Sequence, residues 1–326
     1  MIYLLLPQQS HMNLDLLVAG GEIHKKVQEY AKTELVKSGT KLWDIAENIE
    51  TRIKQYTSYD IGIPLAAGIA FPTGVNVNTV AAHWSPNPRD THQRLGKSDI
   101  VKVDFGVHLQ GHILDGAFSY TENPDLQPLV ECSIEATNTG ISAAGIDANL
   151  GEIGGDIQEV IESYEIVVNG NVYPVTSTRD LCGHQIAPYK IHCGKVVPNV
   201  KLEYAARMNG GEEYAIETFP TTGSGRIRSD TPNTSHYMLE RIWNVDRIKP
   251  ARRGVYNDIT RRFGTLAFCR RWLNYNPSEL EVFENLVESK VIKQYPPLYD
   301  TTPGAYVAQT EHSIFITEDG RKIVLN

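Results

Sequence analysis

The order of periodic segments predicts an α+β fold, in which helices are followed by antiparallel hairpins without regular strand–helix alternation. Three observations carry this. Two runs with helical spacing precede a strong hairpin pattern at residues 99–121. Two further helical runs lead into a second hairpin signal at Asn169-Gly170. A helical stretch over residues 230–298 then interrupts the β pattern, which resumes only near residue 304. A two-half arrangement, helices followed by antiparallel strands in each half, is compatible with this order, but one sequence does not demonstrate it.

Residues 22–37 place Val27, Tyr30, Ala31, Leu35 and Val36 at helical spacing. Ser38-Gly39-Thr40 stops that helix, and Thr40 is a candidate cap for a second over residues 42–56. Residues 62–74, rich in Gly and Pro, read as a loop. Further helices are expected over residues 128–144 and 153–164, a hairpin over 165–175 and a short strand at 214–218. In the late helical stretch, the spacing concentrates at residues 255–263 and 279–293. The apolar run at residues 2–6 is too short for a membrane span or a signal-peptide core, and reads as a first strand or an extension.

Composition narrows the functional classes. A chain of 326 residues with 41% hydrophobic content can bury a sizeable core. The net charge of −8 argues against nucleic-acid binding, and Arg261-Arg262 and Arg270-Arg271 are pairs rather than basic runs. Cys132, Cys182, Cys193 and Cys269 show no CxxC pairing, so no disulfide framework is expected and a reducing cytoplasm fits.

The chemistry begins at Asp104 and Asp115, in two apolar strands around Leu109-Gln110-Gly111. With Leu109-Gln110 as the two-residue loop, paired positions sum to 219 and the two aspartates face each other. Opposed side chains lie about 5 Å apart at Cβ and like charges there repel. Such a pair protonates or takes up cations. Three further stretches set an ionisable residue in a strand or tight turn: His184 after Gly183, Glu217 between apolar neighbours, and Glu311 in an alternating strand. Four carboxylates with one imidazole suit two divalent cations such as Mn, Co, Fe or Zn. Singly, each has an ordinary alternative. A strand Glu is more often on an exposed face, a His beside Gly is more often in a turn, and Lys97 or Lys102 would soften the aspartate pair on a solvent face.

The full set of motifs resembles the methionine aminopeptidases: VDFG around Asp104, ILDGAFS around Asp115, GHQIAPYKIHCG around His184, YAIETF around Glu217, AQTEHSIF around Glu311, and AFPTGVNVNTVAAH ending at His83. The likeness spans roughly residues 22–316 and is closest to the type 2 branch, through SHYM, FGTLAFCRRWL and YPPL. It implies a pita-bread fold of two pseudo-symmetric halves. The catalytic unit would comprise residues 1–229 and 299–326, and the type 2 helical insertion residues 230–298. Asp104 would hold one metal, Asp115 and Glu311 would bridge both, and His184 and Glu217 would complete the second site. Glu217 would also shuttle a proton, and His83 would contact the scissile amide. The resemblance further assigns substrate contact to His192, and a methionine pocket to Phe71, Ile191, Phe219, His236, Ala267 and Tyr306. Each of these could equally be core.

Expected partners are N-terminal Met peptides and nascent chains, with small second residues passing most easily. A cytoplasmic monomer is expected, with no nucleic acid and no membrane. Proximity to the ribosome would follow from such substrates, but the charged N-terminal extension of many type 2 relatives is not seen here. Cys182 stands where relatives commonly carry a polar residue such as Asn. Two rivals share this plan: a non-catalytic binding protein that has lost ligands, and a proline-directed peptidase. The five ligands with His83 disfavour the first, and the insertion motifs disfavour the second. The family's epoxide inhibitors alkylate the histidine at the position of His83. Peptide mapping after epoxide treatment is therefore expected to recover the label on His83, and label on another residue would refute the assignment.

Overall fold

The computed structural model describes residues 12–203 and 205–326. The apolar run at residues 2–6 lies outside the described residues. Helix α1 (Leu14–Tyr30) starts eight residues before the expected position and continues as a π-helical turn, Ala31–Leu35. Asn13 caps it, its side-chain oxygen accepting the N–H groups of Asp15 and Leu16. The pair Gly20-Gly21 lies within this helix and permits close approach. A Cβ on Gly20 would sit 2.3 Å from the Leu114 side chain, and one on Gly21 2.2 Å from the Leu325 carbonyl oxygen. Thr40 does not cap α2 (Leu42–Tyr56); its hydroxyl donates backward to the Leu35 carbonyl, closing the preceding turn.

Strand β1 (Ala67–Val77) occupies half of the expected loop. Register shifts around Phe71 and Gly74 accommodate Pro72, which lacks an N–H to donate. β2 (Val80–Ala82) follows, and β3 (Ile100–Leu109) and β4 (His112–Thr121) form the hairpin. Its register differs from the expected one by two. Leu109 pairs with His112, Asp104 with Ala117 and Asp115 with Gly106. The turn residues are Gln110 and Gly111, with φ of +50° and +84°, the double left-handed conformation that a two-residue turn needs. Because the shift is even, both aspartates stay on one face, but they are diagonal rather than opposed. Lys102 does not soften the pair: it is buried and its ammonium donates to the Asn78 carbonyl at 2.7 Å.

Helices α3 (Gln127–Ala143) and α4 (Leu150–Glu162) come next. β5 (Glu165–Val168) and β6 (Asn171–Pro174) flank Asn169-Gly170 as expected. β7 (Thr176–Ser177), β8 (Cys182–Ile186), β9 (Val196–Pro198), β10 (Glu212–Thr218), β11 (Pro220–Thr221) and β12 (Ile227–Ser229) precede the late segment. That segment holds α5 (Arg253–Phe263) and α6 (Pro277–Glu288), but also β13 (His236–Met238), β14 (Phe268–Cys269) and β15 (Lys293–Tyr295), which form a three-stranded sheet. These strands are two or three residues long, too short to show a period. The segment has its own core, including Tyr237, Tyr256, Ile259, Phe268, Phe283 and Leu286. β16 (Leu298–Asp300), β17 (Thr310–Ile316) and β18 (Lys322–Val324) end the chain.

The main sheet runs β1-β3-β4-β17-β10-β8-β9, with β18 on β17. All its pairings are antiparallel. One core joins α1 and α2 to β1, β3 and β4, and another joins α3 and α4 to β9, β10 and β17. Two helix pairs thus cover the two ends of one sheet. Gly183 lets β8 close on β10, since a Cβ there would lie 2.4 Å from the Ala215 carbonyl oxygen, a backbone atom that cannot swing aside. Gly183→Ala is expected to destabilise the fold by about 1–3 kcal/mol, read as a lower urea midpoint; an unchanged midpoint would show that β8 has slack.

Candidate metal centre

Strand register assembles the acids. Asp104 on β3 pairs with Ala117 on β4, Ala117 with Glu311 on β17, and Glu311 with Glu217 on β10. These residues form one row across four strands. Asp115 lies two residues from Ala117, and His184 pairs with Ala215, two residues from Glu217. Side chains alternate with period two, so all five project from the same face. The directly opposed acids are therefore Glu217 and Glu311, not the two aspartates.

This face forms the floor of a cavity of about 280 Å³. The structure brings His83, Asp104, Asp115, His184, Glu217, Glu311, His192, Phe71, Ile191, Phe219, His236 and Ala267 around it. Tyr306 does not line it. Its ring packs on the core of α3 and α4, and its N–H donates to the Thr222 hydroxyl. Met238, Tyr295 and Leu298 line the cavity without having been singled out. Gln309 was also missed: its amide donates to Asp104 at 3.3 Å and to Glu217 at 3.1 Å. Its spacing of two from Glu311 was the available signal.

The electrostatics follow from burial. His184 Nε2 lies 3.5 Å from Asp115 and 3.7 Å from Glu217, and burial holds its pKa well below the usual value. Burial raises the Asp104 pKa to about 7. Asp115, Glu217 and Glu311 are pushed well above the carboxylate range by burial first and by neighbouring acids second. His83 is held neutral, its pKa lowered to about 3 by burial and by His236 and His192. Its backbone is left-handed, with φ of +63°, a costly conformation for a residue other than Gly. The His192 ring meets the His184 ring edge-on at 4.2 Å. Burial raises the Cys182 thiol to about 11, keeping it protonated at neutral pH.

The metallopeptidase family M24 matches residues 15–246. A protein of Arthroderma otae named methionine aminopeptidase 2-2 is 44% identical over 96% of this chain and 72% of its own length. Methionine aminopeptidase 2A of Arabidopsis thaliana is 42% identical, over 93% of this chain and 68% of its own. The chain belongs to metallopeptidase family M24, in its type 2 methionine aminopeptidase branch. It is a metalloaminopeptidase with the pita-bread fold. Solved structures agree on the fold. The methionine aminopeptidase of Thermotoga maritima superposes with a TM-score of 0.62 at 18% identity, covering 98% of this chain and 99% of that one. The structure of a thermophilic Arx1 gives 0.80 at 15% identity, covering 97% and 91%.

Family membership implies a divalent metal, and the donor set fits one. Among the described residues, Asp104 Oδ1, Asp115 Oδ1 and Glu311 Oε2 are buried without a hydrogen-bond partner. Asp115, His184 and Glu311 offer ligand atoms all within 4.8 Å of one another. Oxygen donors with one imidazole nitrogen are the chemistry such cations take.

The raised Asp104 pKa has a consequence for chelator-stripped enzyme. Below about pH 4 the acid is protonated folded and unfolded, and its burial costs nothing electrostatically. As pH rises toward 7, only the unfolded chain ionises freely, so stability is lost through this window. Stripped wild type is therefore expected to lose melting temperature relative to Asp104→Asn between about pH 4 and 7, and Mn²⁺ should restore it. Parallel melting curves would contradict the assignment.

Proposed function

We propose that this enzyme removes the N-terminal methionine from nascent proteins and peptides, using two divalent cations and preferring a small second residue. The observation that carries the reading is the row Asp104–Ala117–Glu311–Glu217, with Asp115 and His184 on the same face, beneath a cavity that also holds His83. In this reading Asp104 would hold one cation, His184 and Glu217 would hold the other, and Asp115 and Glu311 would serve both. Bound Mn, Co, Fe or Zn would supply water of lowered pKa and polarisation of the scissile carbonyl.

The chain's own groups perform the rest. Glu217 takes the proton of the attacking water and delivers it to the leaving amine. Gln309 orients the Glu217 carboxylate through its amide N–H. His83 donates a hydrogen bond to the scissile amide, an interaction that strengthens as charge develops there. His192 is a second contact to substrate. Phe71, Ile191, Phe219 and Ala267 supply an apolar slot suited to the unbranched methionine side chain. His236 borders the slot, while Tyr306 stands apart from the cavity and takes no part in it.

The reading extends to the protein's setting. Units of 1–229 with 299–326 and of 230–298 are supported by the separate core of the late segment, although β16 runs across the 298/299 boundary. A cytoplasmic monomer acting on emerging chains is supported by the net charge of −8 and the unpaired cysteines. Among the described residues no helix is long and apolar enough to cross a membrane.

The decisive assay is metal-dependent release of Met from Met-Ala-Ser, compared with Met-Leu-Ser and Xaa-Pro peptides. Release from Met-Ala-Ser is expected, with Met-Leu-Ser much slower, and loss of activity in Asp104→Ala. His83→Ala should lower kcat by about 10²–10³-fold. Cleavage of Xaa-Pro peptides in preference to Met-Ala-Ser would refute the reading.

A further inference from the structure

A buried polar chain connects the late segment to the catalytic histidine. Glu50 lies on the otherwise apolar inner face of α2, and Arg271 lies just after β14. Their side chains are only 4% and 5% exposed. The contact is a two-pronged fork, Arg271 Nη1 to Glu50 Oε2 at 2.8 Å and Nη2 to Oε1 at 2.6 Å. The Trp272 indole N–H donates to Oε2 at 2.7 Å and the Thr73 N–H to Oε1 at 3.3 Å, so both carboxylate oxygens are fully used.

The chain continues from Arg271. Its Nη2 also donates to the Ser85 hydroxyl at 3.2 Å. The Ser85 N–H donates to the Ser235 hydroxyl at 3.0 Å. That hydroxyl is 2.9 Å from His236 Nδ1 and 3.3 Å from the His83 carbonyl. His236 Nε2 lies 3.2 Å from the Pro72 carbonyl, which can only accept. A neutral His236 therefore carries its proton on Nε2 and leaves Nδ1 to accept; the single Ser235 proton is shared between that nitrogen and the His83 carbonyl. With both nitrogens committed, His236 has no donor left for substrate. Its ring instead stands 6.0 Å from the His83 ring, and Tyr295 meets His83 edge-on at 6.1 Å from the neighbouring strand β15 of the same small sheet.

These contacts converge on one strained residue. His83 has φ of +63°, and such a backbone persists only where its surroundings over-determine it. We propose that the Glu50–Arg271 pair is a positioning device which, through Ser85, Ser235 and His236, holds His83 in its left-handed conformation and aims its ring into the cavity. The late segment thus acts on catalysis as well as shaping the slot. Glu50 and Arg271 are positioning residues, since neither lines the cavity. The inference rests on the proposed catalytic role of His83.

The test is a double-mutant cycle on Met-Ala-Ser hydrolysis by the metal-loaded enzyme. Arg271→Lys removes the fork, and Ser235→Ala cuts the chain while leaving the ion pair intact, so the second variant carries the test should the first not fold. Each is expected to lower kcat on the order of 10- to 100-fold with little change in KM. Each effect should largely vanish in the His83→Ala background. An unchanged kcat, or an equal fall with and without His83, would overturn the proposal. If His83→Ala alone left kcat intact, the catalytic reading would fail instead, and that single variant separates the two failures.

Discussion

Four carboxylates on one face of one sheet are the constraint around which the molecule is organised. At 4 Å, two unit charges repel by about 4 kcal/mol at an effective dielectric near 20. Glu217 and Glu311 are opposed across a ladder, and Asp104 and Asp115 are diagonal neighbours beside them. Fully ionised, this set would oppose folding. Protons or cations must compensate it, and the raised pKa values and unpartnered buried oxygens express the same demand. An antiparallel sheet is well suited to holding such a set. Its ladder fixes spacing and face together, so that carboxylates from four strands share one geometry.

The other parts of the fold serve that face. Two helix pairs cover the opposite side of the sheet, which leaves the acidic side to line a cavity. Close approach at Gly20, Gly21 and Gly183 lets α1 and β8 seat without a gap. The late segment contributes His236, Met238, Ala267 and Tyr295 to the wall, and the Glu50–Arg271 fork ties it to α2. Breaking such a buried pair leaves an uncompensated charge, so the fork joins the segment to the sheet more firmly than surface contacts would.

Local signals in the chain were strong where a motif carried its own chemistry. Helix α2, the hairpin at Asn169-Gly170 and helix α5 were legible because apolar spacing and turn residues are local properties. Pro72 and Thr40 take roles other than the loop and the helix cap that their local context suggests. Pro72 sits in a bulged ladder with β3, and Thr40 closes the turn before it on the Leu35 carbonyl instead of capping α2. The strands of the late segment were invisible because two or three residues carry no period.

The sequence by itself determined which residue types could meet: four acids and an imidazole in strand contexts, a histidine after a small-residue run, and motifs specific enough to place the chain in a family. It did not determine which acids oppose each other. The left-handed turn at Gln110-Gly111 shifts one hairpin by two and leaves the aspartates diagonal, while the separate β10–β17 ladder opposes Glu217 to Glu311. Nor could it show that Gln309 bridges two of the acids, that Tyr306 stands away from the cavity, or that Arg271 reaches Glu50 across 221 positions. Those are relations between strands and segments distant in the chain, and only their packing decides them.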